Sequence, residues 1–222
     1  MFNTIWEGIF SSRPWGRYPA EDAVRFVARE AAKAADRTQL KALEVGCGPG
    51  TNLWLLANEK IAFDAIDGSA SAVAQAKARL DREQPGWQGR IRVGDFCQLP
   101  HDFVDYNMVL DSEAIYCNDF EESHKLIRDI HARLRPGGAF WSRTFAPGTW
   151  GVESGQRIGT DYWLANEGPL AGKGPVRLTP RESVPRLYGS HWASLSVGEI
   201  TRHDGDPGQI IREWIILARK HH

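Results

Sequence analysis

Leu43-Glu44-Val45-Gly46-Cys47-Gly48-Pro49-Gly50 decides how this chain is read. A short apolar run, Lys41 to Val45, ends in three glycines separated by single residues, and helix-like sequence resumes from Asn52 to Ala57. Strand, tight turn and helix in that order mark the edge of an open α/β sheet at which ligands bind. Glycine permits the sharp turn and leaves room against main-chain atoms that a Cβ would block. The spacing is G-x-G-x-G, whereas a dinucleotide fold uses G-x-G-x-x-G to set a pyrophosphate on a helix N-terminus. Glu44 stands two residues ahead of the first glycine. A carboxylate there repels a pyrophosphate and suits an ammonium group.

Outward from this turn, helix-like and strand-like segments alternate from about Glu21 to Phe145, the pattern of a parallel sheet with crossover helices. Ala20 to Ala35 is an alanine-rich helix, and Ile61 to Ile66 is a second strand closed by Asp67-Gly68. Ser69 is placed to cap the helix that runs to Leu80. Ile91 to Val93 and Val104 to Leu110 read as the third and fourth strands. Asp119 and Glu122 have capping-box spacing before a helix with Leu126, Ile130 and Leu134 on one face. Arg135-Pro136-Gly137-Gly138 stops that helix, and Ala139 to Phe145 is the fifth strand. Glycines and prolines then punctuate Ala146 to Thr179, which reads as an inserted lid. Two last strands, Ala193 to Thr201 and Ile210 to Arg219, flank Asp204-Gly205-Asp206-Pro207-Gly208 and form an antiparallel hairpin.

Composition excludes several classes of protein. With 222 residues, 42% hydrophobic and 25% charged, the chain is an ordinary globular one. Lys and Arg total 27 against 28 Asp and Glu, so no excess of cations is present to bind nucleic acid by bulk charge. No apolar run approaches the roughly 18 residues of a membrane span. The first residues lack the basic start and long apolar core of a secretory signal, and the expected compartment is the cytoplasm. Cys47, Cys97 and Cys117 are widely spaced without a CxxC pair, which suggests neither a zinc site nor a disulfide framework.

At the glycine turn the sequence resembles the class I S-adenosylmethionine-dependent methyltransferases, whose first motif is an acidic residue followed by this glycine pattern. The resemblance continues in order through Asp67, Gly94-Asp95-Phe96, Asp111-Ser112-Glu113 and Leu134-Arg135-Pro136-Gly137-Gly138, and covers about Leu40 to Phe145. It implies a Rossmann-like, doubly wound, mainly parallel seven-stranded sheet with an antiparallel C-terminal hairpin strand. It implies S-adenosyl-L-methionine as cofactor and S-adenosyl-L-homocysteine as product. Glu44, Gly46, Cys47, Gly48, Gly50 and Asn52 would then form the first cofactor segment. Asp67, with Gly68 and Ser69, would meet the ribose, since a carboxylate accepts two hydroxyl hydrogen bonds at once. Asp95 and Phe96 would read the adenine, and Asp111 and Ser112 would lie on the methionine side. More loosely, Ile5 to Phe10, Arg13 to Pro19 and Asp67 to Ala72 look like a bacterial subgroup of small-molecule methyltransferases. In related enzymes such an N-terminal segment covers the cofactor, which makes Trp15 and Tyr18 candidates for a cover; pinning the N-terminal helix to the sheet is the alternative.

On the acceptor side, Glu113 is the candidate base or substrate anchor, with Tyr116 and His191 as further catalytic candidates. Core packing is the competing role for Tyr116, and a solvated turn for His191. Arg143 and the lid cations Lys173 and Arg177 are candidates for holding an anionic acceptor. Trp163, with Trp150 and Tyr162, suits a planar acceptor or a seal, or forms the lid's own small core. The expected layout is one domain, 1–222, with a helical cap at 1–36, a cofactor core at 37–145, a lid at 146–180 and terminal strands at 181–220. The expected reaction is methyl transfer to a small molecule, foremost to an oxygen, without nucleic acid, membrane or metal. RNA or protein as acceptor, and a non-catalytic cofactor-binding module, stay open as alternatives, as does the oligomeric state, a homodimer included.

Overall fold

The structure, a computed structural model, describes residues 3–222. Helices α1 (Ile5–Ser12) and α2 (Glu21–Ala31) precede the alternating unit β1 (Lys41–Val45), α3 (Thr51–Asn58), β2 (Ala62–Asp67), α4 (Ala70–Glu83) and β3 (Gly89–Val93). There follow β4 (Tyr106–Ser112), α5 (Phe120–Arg133) and β5 (Leu134–Phe145), the insertion strands β6 (Gln156–Gly159), β7 (Tyr162–Leu164) and β8 (Pro175–Arg177), then α6 (Val184–Tyr188), β9 (Ser194–His203) and β10 (Ile210–Arg219). Seven strands form one sheet in the order β3-β2-β1-β4-β5-β10-β9, parallel except for β10, which runs antiparallel to both β5 and β9. The expected mainly parallel sheet with its reversed terminal hairpin is therefore present. Strand order turns back between β1 and β4, which opens a crevice at their carboxyl ends.

Both faces of the central strands are covered, which is why β1 reads as a nearly continuous apolar run. Leu53, Leu56 and Val73 from α3 and α4 pack with Phe26 of α2 and Trp141 on one face. Leu126, Ile127 and Ile130 from α5 pack with Leu187 and Trp214 on the other. Ser69 caps α4 by accepting the Ala72 N–H at 3.0 Å, and Asp119 caps α5 by accepting that of Glu122 at 2.9 Å. Asp64, buried within β2, is compensated by Arg90, Lys41 and the Tyr106 hydroxyl.

Two segments differ from the sequence reading. β5 begins at Leu134, five residues before Ala139, and absorbs Arg135-Pro136-Gly137-Gly138. The β4–β5 register shifts between Tyr106 and Met108, and Gly137 takes φ +73°, so the segment expected to be a helix stop is also a bulge within a strand. The expected irregular lid contains the small antiparallel sheet β6-β7-β8. Val152, Leu170, Val176 and Leu178 close a core with Tyr116 and Phe145 beneath it. Strands of three or four residues carry too little alternation to stand out in sequence. Among the described residues no helix is long and apolar enough to cross a membrane.

Candidate active site

The three motif glycines all have positive φ, +64° at Gly46, +51° at Gly48 and +81° at Gly50, but they serve different ends. A Cβ on Gly46 would lie 2.2 Å from the Ala114 Cβ, and one on Gly50 would lie 2.8 Å from that of Ala76. These two glycines let elements pack. A Cβ on Gly48 would meet the Phe10 ring at an ordinary 3.5 Å, and the main chain there lines a cavity beneath α1. Gly48 donates its N–H to Asp67 Oδ2 at 2.8 Å and Ser69 donates to Oδ1 at 2.8 Å, which fastens the turn to the end of β2. Burial pushes the Asp67 carboxyl up, against the pull of these two N–H groups.

Glu44 is 2% exposed and accepts from Asn52 Nδ2 at 2.7 Å through Oε1. Its Oε2 is buried without a partner. Burial, reinforced by Asp67 and Asp111 and opposed by Asn52, pushes the Glu44 carboxyl up to about 8. A buried carboxyl in this state is short of a cation.

A cavity of about 280 Å³ runs from Glu44 and Asp67 past Asp95 and Phe96 to Glu113 and Lys173. Its roof is an aromatic cluster in which Phe10 meets Trp15 edge-on at 5.1 Å and stacks on Trp6 at 5.7 Å. Trp6 and Phe10 stand one helical turn apart on α1, so they share a face. Glu7 fastens that helix by accepting from the hydroxyls of Ser69 and Ser71, each at 2.5 Å, and these bonds hold its carboxyl below the usual range. Gln75 and Thr51 add bonds to the carbonyls of Phe10 and Gly16.

At the other end Arg143 stands among three carboxylates, Glu113, Glu213 and Asp22, at 3.1, 2.5 and 3.2 Å. Glu113 takes φ +57°, unusual outside glycine, at the sharp turn leaving β4. Asp111 holds that turn by accepting the N–H groups of Ala114 and Ile115, each at 3.0 Å, and the Ser142 hydroxyl at 2.6 Å. Burial and the Glu213 carboxylate raise Glu113 above the ordinary carboxylate range, with Arg143 opposing. Tyr116 on the same turn packs edge-on against Phe145 at 4.9 Å and also faces the cavity. The insertion clasps the turn from outside: Tyr162 donates to the Cys117 carbonyl at 2.7 Å, and Arg177 donates to the carbonyls of Asn118 and Asp119.

A family model described as a methyltransferase domain matches residues 42–138. Residues 42–138 carry a methyltransferase domain. A search of curated proteins finds no match. Among solved structures the fold is similar to the CcbJ methyltransferase of Streptomyces caelestis, 17% identical, with a TM-score of 0.67 over 97% of this chain and 96% of that one. It is similar to the N-methyltransferase NodS of Bradyrhizobium japonicum, 15% identical, with a TM-score of 0.65 over 99% of this chain and all of that one, 100%. A third likeness is an S-adenosylmethionine-dependent methyltransferase of Clostridium acetobutylicum, 12% identical, with a TM-score of 0.67 over 96% and 95% of the two chains. At these identities the likenesses speak for the fold. S-adenosylmethionine is the cofactor of the domain that the family model identifies.

The methyltransferase brings most of the sequence candidates to one cavity: Glu44, Gly46, Cys47, Gly48, Asn52 and Asp67 at one end. Asp95, Phe96 and Ser112 follow, then Glu113, Tyr116, Arg143 and Lys173, with Trp15 and Tyr18 on the roof side. Tyr18 is 75% exposed, so it stands at the mouth. Others lie off the cavity. Gly50 packs on α4, Ser69 caps that helix, Gly68 links it to Asp67, and Asp111 is spent on the Glu113 turn. His191 packs against His131, with ring centroids 4.4 Å apart. It precedes Ser194, which pairs with Arg219 and through it with Ala139, so it belongs to the amino end of β5 while the cavity opens at the carboxyl end. Trp163 is carried away because neighbours on a strand face opposite sides and Tyr162 takes the side toward Cys117. It borders an outer groove with Trp214. Arg143 reaches the cavity already paired by carboxylates, and the Arg177 guanidinium is spent on carbonyls, so neither offers a free fork to an anion. Sequence reading missed Trp6, Phe10, Asp22 and Glu213. The four-residue spacing of Trp6 and Phe10 was a usable signal; nothing local marked Asp22 or Glu213.

Proposed function

We propose that this methyltransferase moves the cofactor's methyl group to an oxygen atom of a small-molecule acceptor, with Glu113 as the base. The observation that carries this reading is the Glu113 carboxylate, whose side chain is 34% exposed and opens on the cavity from a strained turn. An oxygen nucleophile of high pKa must shed a proton, and a carboxylate of raised proton affinity is suited to take it.

The residues fit S-adenosylmethionine. The unpaired Glu44 Oε2 on the cavity wall suits its ammonium group, and each Asp67 oxygen has a lone pair beyond its one N–H bond to offer a ribose hydroxyl. Asp95 and Phe96 line the wall where an adenine would lie. When bound, the cofactor supplies a methyl carbon made electrophilic by its sulfonium. Glu113 accepts the acceptor's proton at its carboxylate, and Tyr116 bounds the acceptor on the same turn. Trp6, Phe10 and Trp15 exclude water from above. Lys173, whose ammonium lies 5.5 Å over the Trp15 ring, is the cation placed to hold an anionic group of the acceptor. A nitrogen acceptor is the second reading, favoured by the three carboxylates gathered at this end.

The whole chain works as one unit in this reading, with residues 1–36 as cap and 146–180 as lid, in the cytoplasm and without nucleic acid. Near-neutral charge supports the last point. The test is release of S-adenosylhomocysteine across a panel of small hydroxy compounds, phenols and amines, with tRNA and protein as comparison acceptors. Turnover of a hydroxy compound that falls about a hundredfold in Glu113→Gln, with cofactor affinity kept, is expected. Turnover confined to RNA or protein, or undiminished in the variant, contradicts the proposal.

A further inference from the structure

One bidentate carboxylate is enough to pair a guanidinium, yet Arg143 has three around it. They do not share it equally. Glu213, wholly buried on β10, takes the fork, with Arg143 Nε donating to Oε1 at 2.9 Å and Nη2 to Oε2 at 2.5 Å. Asp22, on α2, receives Nη1 at 3.2 Å. Glu113 is left with a longer contact to the same Nε, at 3.1 Å. Arg202, reaching over from β9, adds a second guanidinium to Glu213 at 2.7 Å. Glu213 does not line the cavity; it bears on Glu113 through Arg143 and through the carboxyl group it sets directly beside that of Glu113.

We infer that Glu213 is a positioning residue: by occupying the fork of Arg143 it keeps that guanidinium from closing on Glu113, and so leaves the Glu113 carboxylate turned to the cavity as a base. The inference rests on the reading of Glu113 as the base. A carboxylate in a full fork with arginine binds a proton poorly, whereas one beside a second carboxylate binds it well. Both effects of Glu213 therefore act in one direction. Asp22 supports it by taking the remaining edge of Arg143. The other groups that bear on Glu113 are Lys173 from the insertion, Tyr116 on its own turn and Arg202 beyond Glu213, and only the last touches the relay.

The proton affinity of Glu113 can be read without an acceptor, by carbon-13 NMR titration of its side-chain carboxyl, assigned by its loss in Glu113→Gln. Glu213→Gln should lower the midpoint by about one pH unit, a tenfold loss of proton affinity. Arg202→Gln should raise it, because the charge on Glu213 is then less neutralised. Opposite shifts from two variants of one contact are not what a merely structural role gives. Should Glu213→Gln fail to fold, Asp22→Asn takes its place and should also lower the midpoint, since Arg143 is again freed toward Glu113. Unmoved midpoints, or shifts of the same sign in Arg202→Gln and its acidic counterpart, overturn the inference. Failure of the base reading would show elsewhere, as turnover indifferent to Glu113→Gln.

Discussion

Gly48 and Asp67 stand 19 residues apart and Glu44 and Asn52 stand 8 apart, whereas Asp22 and Arg143, which meet at the other end of the same cavity, stand 121 apart. The end we assign to the cofactor is built from one turn and the neighbouring strand, with main-chain N–H groups donating to a carboxylate. The end we assign to the acceptor is built from long side chains that reach across β5, β10, β9 and α2. Main-chain donors stay in place when side chains change, so the first end is sensitive at its glycines and carboxylates and tolerant elsewhere. At the second end only the Glu113 turn has such a frame, at Asp111; Arg143, Glu213, Asp22 and Arg202 are held by one another's charges. The reaction class rests on the first end and the choice of acceptor on the second.

If this contrast is right, the ends should respond separately. The largest effect is expected at the turn. Gly46→Ala places a Cβ against Ala114 at 2.2 Å in a left-handed backbone, and should cost about 3 kcal/mol of stability and abolish cofactor binding. Gly208→Ala, in the β9–β10 turn away from the cavity, with nothing within 4 Å and no such φ, is the control. Calorimetry and thermal melting of both variants would decide, and normal binding by Gly46→Ala would break the account of the turn.

The next effect is one of pH. Glu44 is raised from an ordinary 4.5 to about 8 by its burial, and a cationic amino group beside it favours the ionised form. Cofactor binding below pH 8 should therefore release a proton, and affinity should improve about tenfold per unit as pH rises from 6 to 7. Titrations in buffers of different ionisation enthalpy count the proton, and Glu44→Gln should remove both effects. The sign for stability is the reverse. A carboxyl raised on folding contributes stability that is complete below its unfolded value, so the protein without cofactor should melt progressively lower as pH climbs from about 4.5 to about 8. The smallest effect belongs to the roof. Glu7→Ala releases α1 from Ser69 and Ser71 and should weaken cofactor affinity a few-fold while leaving the Glu113 titration alone. A shift at Glu113 in this variant would show that the two ends are coupled.

The same contrast explains how far the sequence could be read. The alternation of strands and helices, the caps at Ser69 and Asp119, and the cluster of Glu44, Asp67, Asp95 and Phe96 were legible because period, capping and motif spacing are local properties. Arg143 was legible as a residue on the correct edge, but its partners were not. Glu213 lies 70 residues away on a strand whose sequence shows only that it is a strand. His191 was misplaced for a related reason: proximity to a terminal strand says nothing of which end of the sheet that strand starts from, and β9 starts at the far one. For Trp163 the sequence leaves two roles open, and the structure gives the second, packing against the insertion's own core; a three-residue strand has no period from which to choose between them.

The most direct test of the central claim is calorimetric titration of S-adenosylmethionine and S-adenosylhomocysteine into the wild-type protein and Asp67→Ala side by side. We predict binding of both ligands by the wild type and at least about a tenfold loss in the variant, as expected for removal of charge-assisted hydrogen bonds worth roughly 1.5 to 3 kcal/mol each. Binding of neither ligand by the wild type, or equal affinity in a folded Asp67→Ala, would contradict the assignment of this cavity.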